Sequence, residues 1–133
     1  ELTQTYFRNP TGLDVSETEA GAYGSARDVA FLMEYILINK PELLELTAAD
    51  SADLEDQSGA TFAAENTNRQ VAEISGLIGS KTGYTDLAGG NLAIAFDAGL
   101  NRPIIVVVFG STLYGRFSDV LALEAAAREA VQQ

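Results

Sequence analysis

Residues 76–110, GLIGSKTGYTDLAGGNLAIAFDAGLNRPIIVVVFG, contain three stretches that favour β-strands. The stretches 76–84, 91–97 and 103–110 are rich in β-forming residues or alternate apolar and polar side chains, and turn-rich segments separate them. This pattern predicts a three-stranded antiparallel meander. The third stretch is apolar at consecutive positions, as expected of a strand with both faces covered, so we expect it to be the central strand.

Helices are predicted on both sides of this meander in the sequence. Ser25 is placed to cap a helix, with Asp28 three residues further on as a carboxylate variant of the capping box. Apolar residues then recur at helical spacing up to about Asn39. A last helix over 116–131 carries an alanine-rich stripe suited to packing flat on a sheet. The predicted fold class is α/β of the α+β kind, an antiparallel sheet flanked by helices, in one unit of residues 1–133.

Residues 48–60, AADSADLEDQSGA, carry four carboxylates and little apolar periodicity. This composition predicts a solvated loop. A carboxylate metal site needs converging ligands, which this spacing does not show, so we expect no metal and no cofactor. The next stretch, 61–68, is expected to start extended and to end in a turn, where Asn68 closes the loop before the strand at 76–84.

The charge and composition of the chain exclude several classes of function. The 19 acidic and 8 basic residues give a formal charge of −11, which makes nucleic acid or an anionic membrane surface a poor partner. The chain has no cysteine and no histidine, so acid–base chemistry must use carboxylates, lysines, a tyrosine or a group on another chain. The longest apolar runs are much shorter than the roughly 18–20 residues of a membrane span.

One of the two lysines of the chain, Lys81, lies in a Gly-Ser-Lys-Thr-Gly setting that is too small to bury it. A phosphate-binding P-loop needs a glycine before the lysine and a helix after it. Here Ser80 precedes Lys81, and a turn and strand follow. Periodicity alone leaves two interpretations open, a surface lysine at a glycine-rich strand end or a lysine that contacts a ligand.

Lys81-Thr82-Gly83 resembles the Lys-Thr-Gly box of the penicillin-recognising serine enzymes. The flanking sequence resembles the D-alanyl-D-alanine carboxypeptidases of the low-molecular-mass penicillin-binding type over essentially the whole chain. The similar stretches, in order, are FRNPTGLD (7–14), YGSARDVAFLMEYIL (23–37), ENTN (65–68), GLIGSKTGYTDLAGGNLAIAF (76–96) and VVVFGSTLYGRF (106–117). The resemblance implies a β-lactamase/transpeptidase-like fold.

The resemblance also implies roles for five residues. The strand that carries the box lies at a sheet edge, where a peptide or β-lactam pairs as an added strand, and Gly83 leaves room for it. Lys81 supplies a fixed cation, and the Thr82 hydroxyl donates to the terminal carboxylate of the peptide. The backbone N–H of Tyr84 forms half of an oxyanion hole. Arg116 is aimed at the substrate carboxylate, with a capping or surface arginine as the alternative.

The two nucleophile boxes of the family are absent from these 133 residues, which contain neither Ser-x-x-Lys nor Ser-x-Asn. In the family both boxes precede the Asn-Pro-x-Gly-Leu-Asp stretch. The resemblance therefore implies the C-terminal portion of a catalytic domain, incomplete at its N-terminal side. It also implies that the strand at 104–109 lacks a neighbour. We therefore expect the chain to self-associate through that strand, to swap elements between copies, or to need its other half for solubility.

The function implied by the resemblance is that of part of a serine-type D-Ala-D-Ala carboxypeptidase. Such an enzyme acts on peptidoglycan stem peptides through an acyl-serine intermediate, binds β-lactams, and works at the cell envelope, on its periplasmic or extracellular face. Two alternatives to this function remain open. The first is a non-catalytic module that binds peptidoglycan or completes a nucleophile-bearing partner, and the second is a β-lactamase-like relative.

Overall fold

A computed structural model describes residues 2–132. No helix in this part of the chain is long and apolar enough to cross a membrane. Short 3-10 turns occur at Pro41–Leu43, Glu45–Ala48 and Val71–Glu73. The longer elements are, in order, β1 (Tyr6–Phe7), β2 (Ala22–Tyr23), α1 (Ala26–Asn39), β3 (Ser51–Glu55), β4 (Thr61–Glu65), β5 (Leu77–Thr85), β6 (Gly89–Asp97), β7 (Pro103–Ser111) and α2 (Gly115–Val131).

The main sheet is the predicted antiparallel meander, in the order β5-β6-β7. The prediction that its third strand is central is wrong, because β6 is central and β7 lies at an edge within residues 2–132. Val106 and Val108 of β7 pack in the cluster that contains α2, whereas Ile105 and Val107 pack in the cluster that contains α1. The apolar run thus reflects two helices that cover the faces of β7, and not a strand on each side of it.

The two faces of β6 belong to two separate hydrophobic clusters. Leu92, Ile94 and Phe96 face α2 and are fully buried. Ala93 and Ala95, on the other face, pack in a cluster with α1 and the short turn that follows it. Full burial of a large apolar side chain contributes about 1.5–3 kcal/mol. The larger side chains therefore make the α2 side the main source of apolar stabilisation, while the alanines let α1 approach closely.

The predicted start of α1 is confirmed. The Ser25 hydroxyl accepts a hydrogen bond from the backbone N–H of Asp28 at 3.1 Å. The Asp28 carboxylate is buried and accepts from the backbone N–H of Gln4 at 2.7 Å and from the Thr5 hydroxyl at 2.9 Å. It therefore ties the N-terminal segment to the helix. The helix ends at Asn39, as predicted.

The prediction of a loop over 48–60 is wrong, because β3 and β4 form an antiparallel hairpin. In β3, the half-buried Ala52 and Leu54 alternate with exposed polar residues, an alternation that the acidic side chains obscure. The Asp56 carboxylate forms the turn by accepting from the Ser58 hydroxyl at 2.6 Å and from the backbone N–H groups of Ser58 and Ala60. These hydrogen bonds, that of the Ser58 hydroxyl first, lower the pKa of Asp56 below its ordinary value.

The start of β6 lies against the chain that leaves β7. A Cβ atom on Gly90 would lie 2.0 Å from the carbonyl oxygen of Thr112. The neighbouring Gly89 has a φ of +67°, and a Cβ there would lie 2.7 Å from the carbonyl oxygen of Ser111. Both positions therefore require glycine, one for space alone and one for backbone conformation as well.

Candidate active site

The Lys-Thr-Gly box lies in β5, which forms one edge of the main sheet within the described residues. The expected edge position of this strand is therefore confirmed. Lys81 is exposed, and its Nζ donates to the neighbouring Thr82 carbonyl oxygen at 2.5 Å. Among the non-adjacent residues that the structure describes, a Cβ on Gly83 would meet only the Asn91 side chain, at 3.9 Å. The fold itself thus leaves open space beside the box.

A cavity of about 660 Å³ opens beside β5 and extends towards the N-terminal segment. It is lined mainly by small and apolar residues, and Lys81 carries the one charge among the lining residues that the structure describes. Lining residues beside the box include Gly83, Tyr84, Thr85, Asn91, Phe109 and Gly110. Because the described lining holds a cation and no carboxylate, the cavity suits an anionic or strongly polarised ligand.

Arg116 lies in the first turn of α2 and reaches back to the box. The residue is 7% exposed, and its Nη1 donates to the Gly83 carbonyl oxygen at 2.7 Å. Its Nε is buried and has no partner in residues 2–132. Burial, and secondly the positive charge of Arg69, lower the pKa of the Arg116 guanidinium. The structure therefore brings Arg116 to the box, while its alternative role as a simple surface arginine does not fit its burial.

A second cleft, of about 300 Å³, separates α2 from the loop before β5. Arg69 and Arg116 both line it, together with Glu65 and Thr67. The Arg69 guanidinium also lies 5.7 Å from the ring centroid of Tyr114, an arrangement typical of a cation–π contact. Two guanidinium groups and a single carboxylate give this cleft a net positive charge, which suits an anion.

The loop before β5 contacts the box through a hydroxyl pair that the sequence analysis missed. The hydroxyl oxygens of Thr67 and Thr82 lie 2.5 Å apart. The predicted role of Asn68 in closing this loop is confirmed, since its Oδ1 accepts from the backbone N–H of Gln70. The Asn-Thr-Asn-Arg run at 66–69 was the available signal, but nothing in its spacing shows which strand it contacts.

The predicted site residues therefore converge, with Lys81, Thr82, Gly83 and Tyr84 consecutive on β5 and Arg116 bonded to the same strand. The Tyr84 side chain is exposed at the cavity. Across residues 2–132 no group of three histidine, cysteine, aspartate or glutamate side chains converges in a way that could hold a metal ion.

Solved structures with this fold include proteins of the penicillin-binding class. Penicillin-binding protein D2 of Listeria monocytogenes, in its ampicillin-bound form, superposes with a TM-score of 0.75 at 28% identity, over 96% of this chain and 50% of that chain. A D-alanyl-D-alanine carboxypeptidase of Mycobacterium tuberculosis superposes with a TM-score of 0.70 at 23% identity, over 95% and 48%. These matches confirm the predicted transpeptidase-like fold.

A sequence profile of the D-alanyl-D-alanine carboxypeptidase family matches residues 1–112, and the chain belongs to that family. It is 37% identical over 111 residues to the D-alanyl-D-alanine carboxypeptidase DacF of Bacillus subtilis, a match that covers 84% of this chain. It is 31% identical over 126 residues to DacA of Escherichia coli K12, over 89% of this chain. The chain spans 27% of the length of each of these relatives. The resemblance inferred from the sequence is confirmed.

Proposed function

We propose that this chain is part of a serine-type D-Ala-D-Ala carboxypeptidase that acts on peptidoglycan stem peptides. The observation that carries the proposal is the Lys81-Thr82-Gly83 box on an edge strand, beside a cavity in which Lys81 carries the charge. In this reaction a serine hydroxyl attacks the penultimate D-alanine carbonyl, D-alanine leaves, and water hydrolyses the acyl-serine.

The edge of β5 would bind the peptide as an added strand. Gly83 leaves the space for this approach, and the Lys81 ammonium would stabilise negative charge at the reacting centre. The backbone N–H of Tyr84 would form half of the oxyanion hole. Loss of one such donor costs about 3–4 kcal/mol of transition-state stabilisation.

The terminal carboxylate of the peptide would bind between the Thr82 hydroxyl and Arg116. The Arg116 guanidinium uses Nη1 for the Gly83 carbonyl and keeps further N–H groups for an anion. A planar fork suits a carboxylate, and the nearby Arg69 adds positive charge to the same cleft. Together these groups would favour substrates with a free C-terminal carboxylate.

Residues 1–133 are proposed to correspond to the C-terminal portion of a penicillin-binding, transpeptidase-like domain. The chain has no Ser-x-x-Lys box and covers about half of the solved domains with this fold. The nucleophile would therefore belong to another segment or to a partner chain. The Listeria structures are cefotaxime- and ampicillin-bound forms, which supports β-lactams as ligands of the whole site.

The proposed place of action is the cell envelope, on its periplasmic or extracellular face.

The experiment that tests this function joins a Ser-x-x-Lys-bearing family segment to the N-terminal side of the chain, here called the extended form. We expect the extended form to release D-alanine from a diacetyl-lysyl-D-alanyl-D-alanine peptide, and the chain alone to release none. A peptide that ends in D-alanyl-L-alanine is the matched control. Absence of D-alanine release by a folded extended form would contradict the proposal.

The same experiment with two separate polypeptides addresses the partner-completing alternative. In that arrangement the chain is mixed with the Ser-x-x-Lys segment as a distinct molecule. D-alanine release by the mixture would show that the chain completes a nucleophile-bearing partner without covalent linkage. Release by the fused form alone would favour one continuous domain.

Self-association through residues 104–109 of β7 is also proposed. Within residues 2–132, β7 pairs with β6 alone, so its other edge leaves backbone N–H and C=O groups unpaired. The segment holds neither a charge nor a proline that would block pairing with another chain. Exposed apolar residues of α1, Phe31, Tyr35 and Ile38, add surface that soluble monomers rarely expose.

Light scattering combined with hydrogen exchange tests this self-association. We expect the mass to rise with concentration and the amides of 104–109 to become protected as it rises. The amides of β6 are the internal control, because this central strand is paired on both sides at every concentration. A strictly monomeric chain with a fully protected β7 would contradict the proposal.

A further inference from the structure

The hydroxyl pair of Thr67 and Thr82 joins two parts of the chain that are 15 residues apart. Thr67 is exposed in the loop before β5, and Thr82 is half-buried in the box strand. Their oxygens lie 2.5 Å apart, and either oxygen could be the donor. A hydroxyl has one hydrogen to donate and two lone pairs to accept with, so the direction of this bond decides what else each group can bind.

The loop that carries Thr67 is held by the side chains on either side of it. The Asn66 side-chain amide donates to the carbonyl oxygens of Thr47 and Ala49, both at 2.9 Å. Its Oδ1 accepts from the backbone N–H of Asn68 at 2.8 Å. Asn68 is 1% exposed and holds the next turn. Thr67 therefore has a fixed backbone although its side chain is exposed.

Thr47 anchors the strand as well as the loop. Its hydroxyl accepts from the backbone N–H of Ser80 at 2.9 Å, and its carbonyl oxygen accepts from the Ser80 hydroxyl at 3.0 Å. The same carbonyl oxygen accepts from Asn66. Because one residue binds both sides, the spacing between Thr67 and Thr82 is set by the fold, independently of any ligand.

The surroundings of the hydroxyl pair attract an anion. Thr67 lines the cleft that Arg69 and Arg116 also line, and Arg116 is bonded to Gly83, the residue after Thr82. An anion accepts hydrogen bonds and donates none. A carboxylate bound at Thr82 therefore requires Thr82 to donate, which leaves only its lone pairs for Thr67.

We propose that Thr67 is a positioning residue, which donates to the Thr82 hydroxyl oxygen and so directs the Thr82 hydrogen at the free carboxylate of a bound peptide. This inference rests on the proposed function, in which Thr82 binds that carboxylate. Hydrogen bonds in such a chain polarise one another, so donation by Thr67 strengthens donation by Thr82. Without Thr67, the Thr82 hydroxyl rotates freely and loses this bias.

The test is a titration of the 133-residue chain with N-acetyl-D-alanine, in which NMR follows the amide shifts of Thr82 and Gly83. Thr67→Val removes the hydroxyl and keeps the shape, and we expect it to raise Kd about three- to tenfold. Thr67→Ala should weaken binding similarly, and Thr67→Ser should bind like the unchanged chain. Thr61→Val, at an exposed threonine of β4, is the matched control.

Equal affinity of the Thr67→Val and unchanged chains would overturn the inference. So would the absence of a saturable shift at Thr82 in the unchanged chain. Neither result depends on catalysis, because D-alanine release by the extended form decides the proposed function separately.

A kinetic comparison in the extended form separates positioning from a general structural role. Thr67→Val should raise KM for a D-Ala-D-Ala peptide and leave kcat nearly unchanged, since the carboxylate is bound in both ground and transition states. An ester substrate whose leaving group has no carboxylate should react alike in both proteins. Equal losses on the two substrates would assign Thr67 a structural role and overturn the inference. If the extended form hydrolyses neither substrate, the proposed function fails, and the titration still decides the role of Thr67.

Discussion

The 133-residue chain, incubated with excess benzylpenicillin, should keep its unmodified mass. A penicillin adduct requires an activated serine, and the chain contains no Ser-x-x-Lys. The serine beside the box cannot replace it, because Ser80 is 2% exposed and its hydroxyl donates to the Thr47 carbonyl. Ser111, at the end of β7, is bonded to the Asp119 carboxylate at 2.6 Å and has no lysine beside it in sequence.

Intact-mass spectrometry measures this result directly. The extended form is the positive control, and it should gain the mass of one penicillin molecule per chain. Its serine-to-alanine variant at the box should gain none. A stable adduct on the 133-residue chain, located by peptide fragmentation, would show that a nucleophile lies within these residues and would contradict the assignment.

In the extended form, Lys81→Ala should slow acylation by penicillin about 10²- to 10³-fold, the usual effect of removing one preorganised electrostatic group. Lys81 carries the single charge among the described residues that line the cavity, so alanine leaves that cavity without a cation. Folding should be unaffected, because the side chain is exposed and the one hydrogen bond of its Nζ within residues 2–132 goes to the neighbouring carbonyl. Stopped-flow acylation rates and thermal melting together separate the two effects.

Lys40→Ala is the matched control, since it removes the other lysine of the chain. Lys40 caps the C-terminal end of α1, and its Nζ lies 3.8 Å from Glu42 in a pair of exposed side chains. Such a surface pair contributes at most about 1 kcal/mol to folding stability, so the variant should stay folded. Because Lys40 is not among the residues that line the cavity, acylation should stay at the unchanged rate. An unchanged acylation rate in Lys81→Ala would contradict the proposed role and would show that Lys81 is a surface lysine.

The main sheet and both helices were predictable because each leaves a local pattern in the sequence. Each pattern involves residues that are close in sequence. These patterns are the alternation of large and small apolar residues in β6, the cap at Ser25 and the alanine-rich stripe of α2. The hairpin of β3 and β4 was missed because its outward positions carry the acidic residues, which outweigh two half-buried apolar ones. The position of β7 was wrong because an apolar run reports covered faces and says nothing about paired edges.

The sequence predicted the candidate-site residues that are consecutive on β5, but not the residues that the preceding loop brings to them. The Lys-Thr-Gly motif gives the consecutive residues of β5, and the family resemblance adds Arg116, which the structure brings to Gly83. Thr67 and Arg69 were missed because their contacts depend on how the loop before β5 folds against the box and α2. Single-sequence patterns hold no information on such tertiary distances.

Glycine occupies positions 90 and 83 for two different reasons. At Gly90 the rest of the chain excludes a side chain, because a Cβ would lie 2.0 Å from a backbone oxygen. At Gly83 nothing in residues 2–132 excludes one, because the nearest non-adjacent atom, on Asn91, would be 3.9 Å away. Folding thus limits the substitutions that the first position tolerates, whereas at the second position the proposed peptide would limit them. If a peptide approaches Gly83 as proposed, a screen that scores folding alone would miss the resulting constraint, and a selection that also demands turnover by the extended form would detect it.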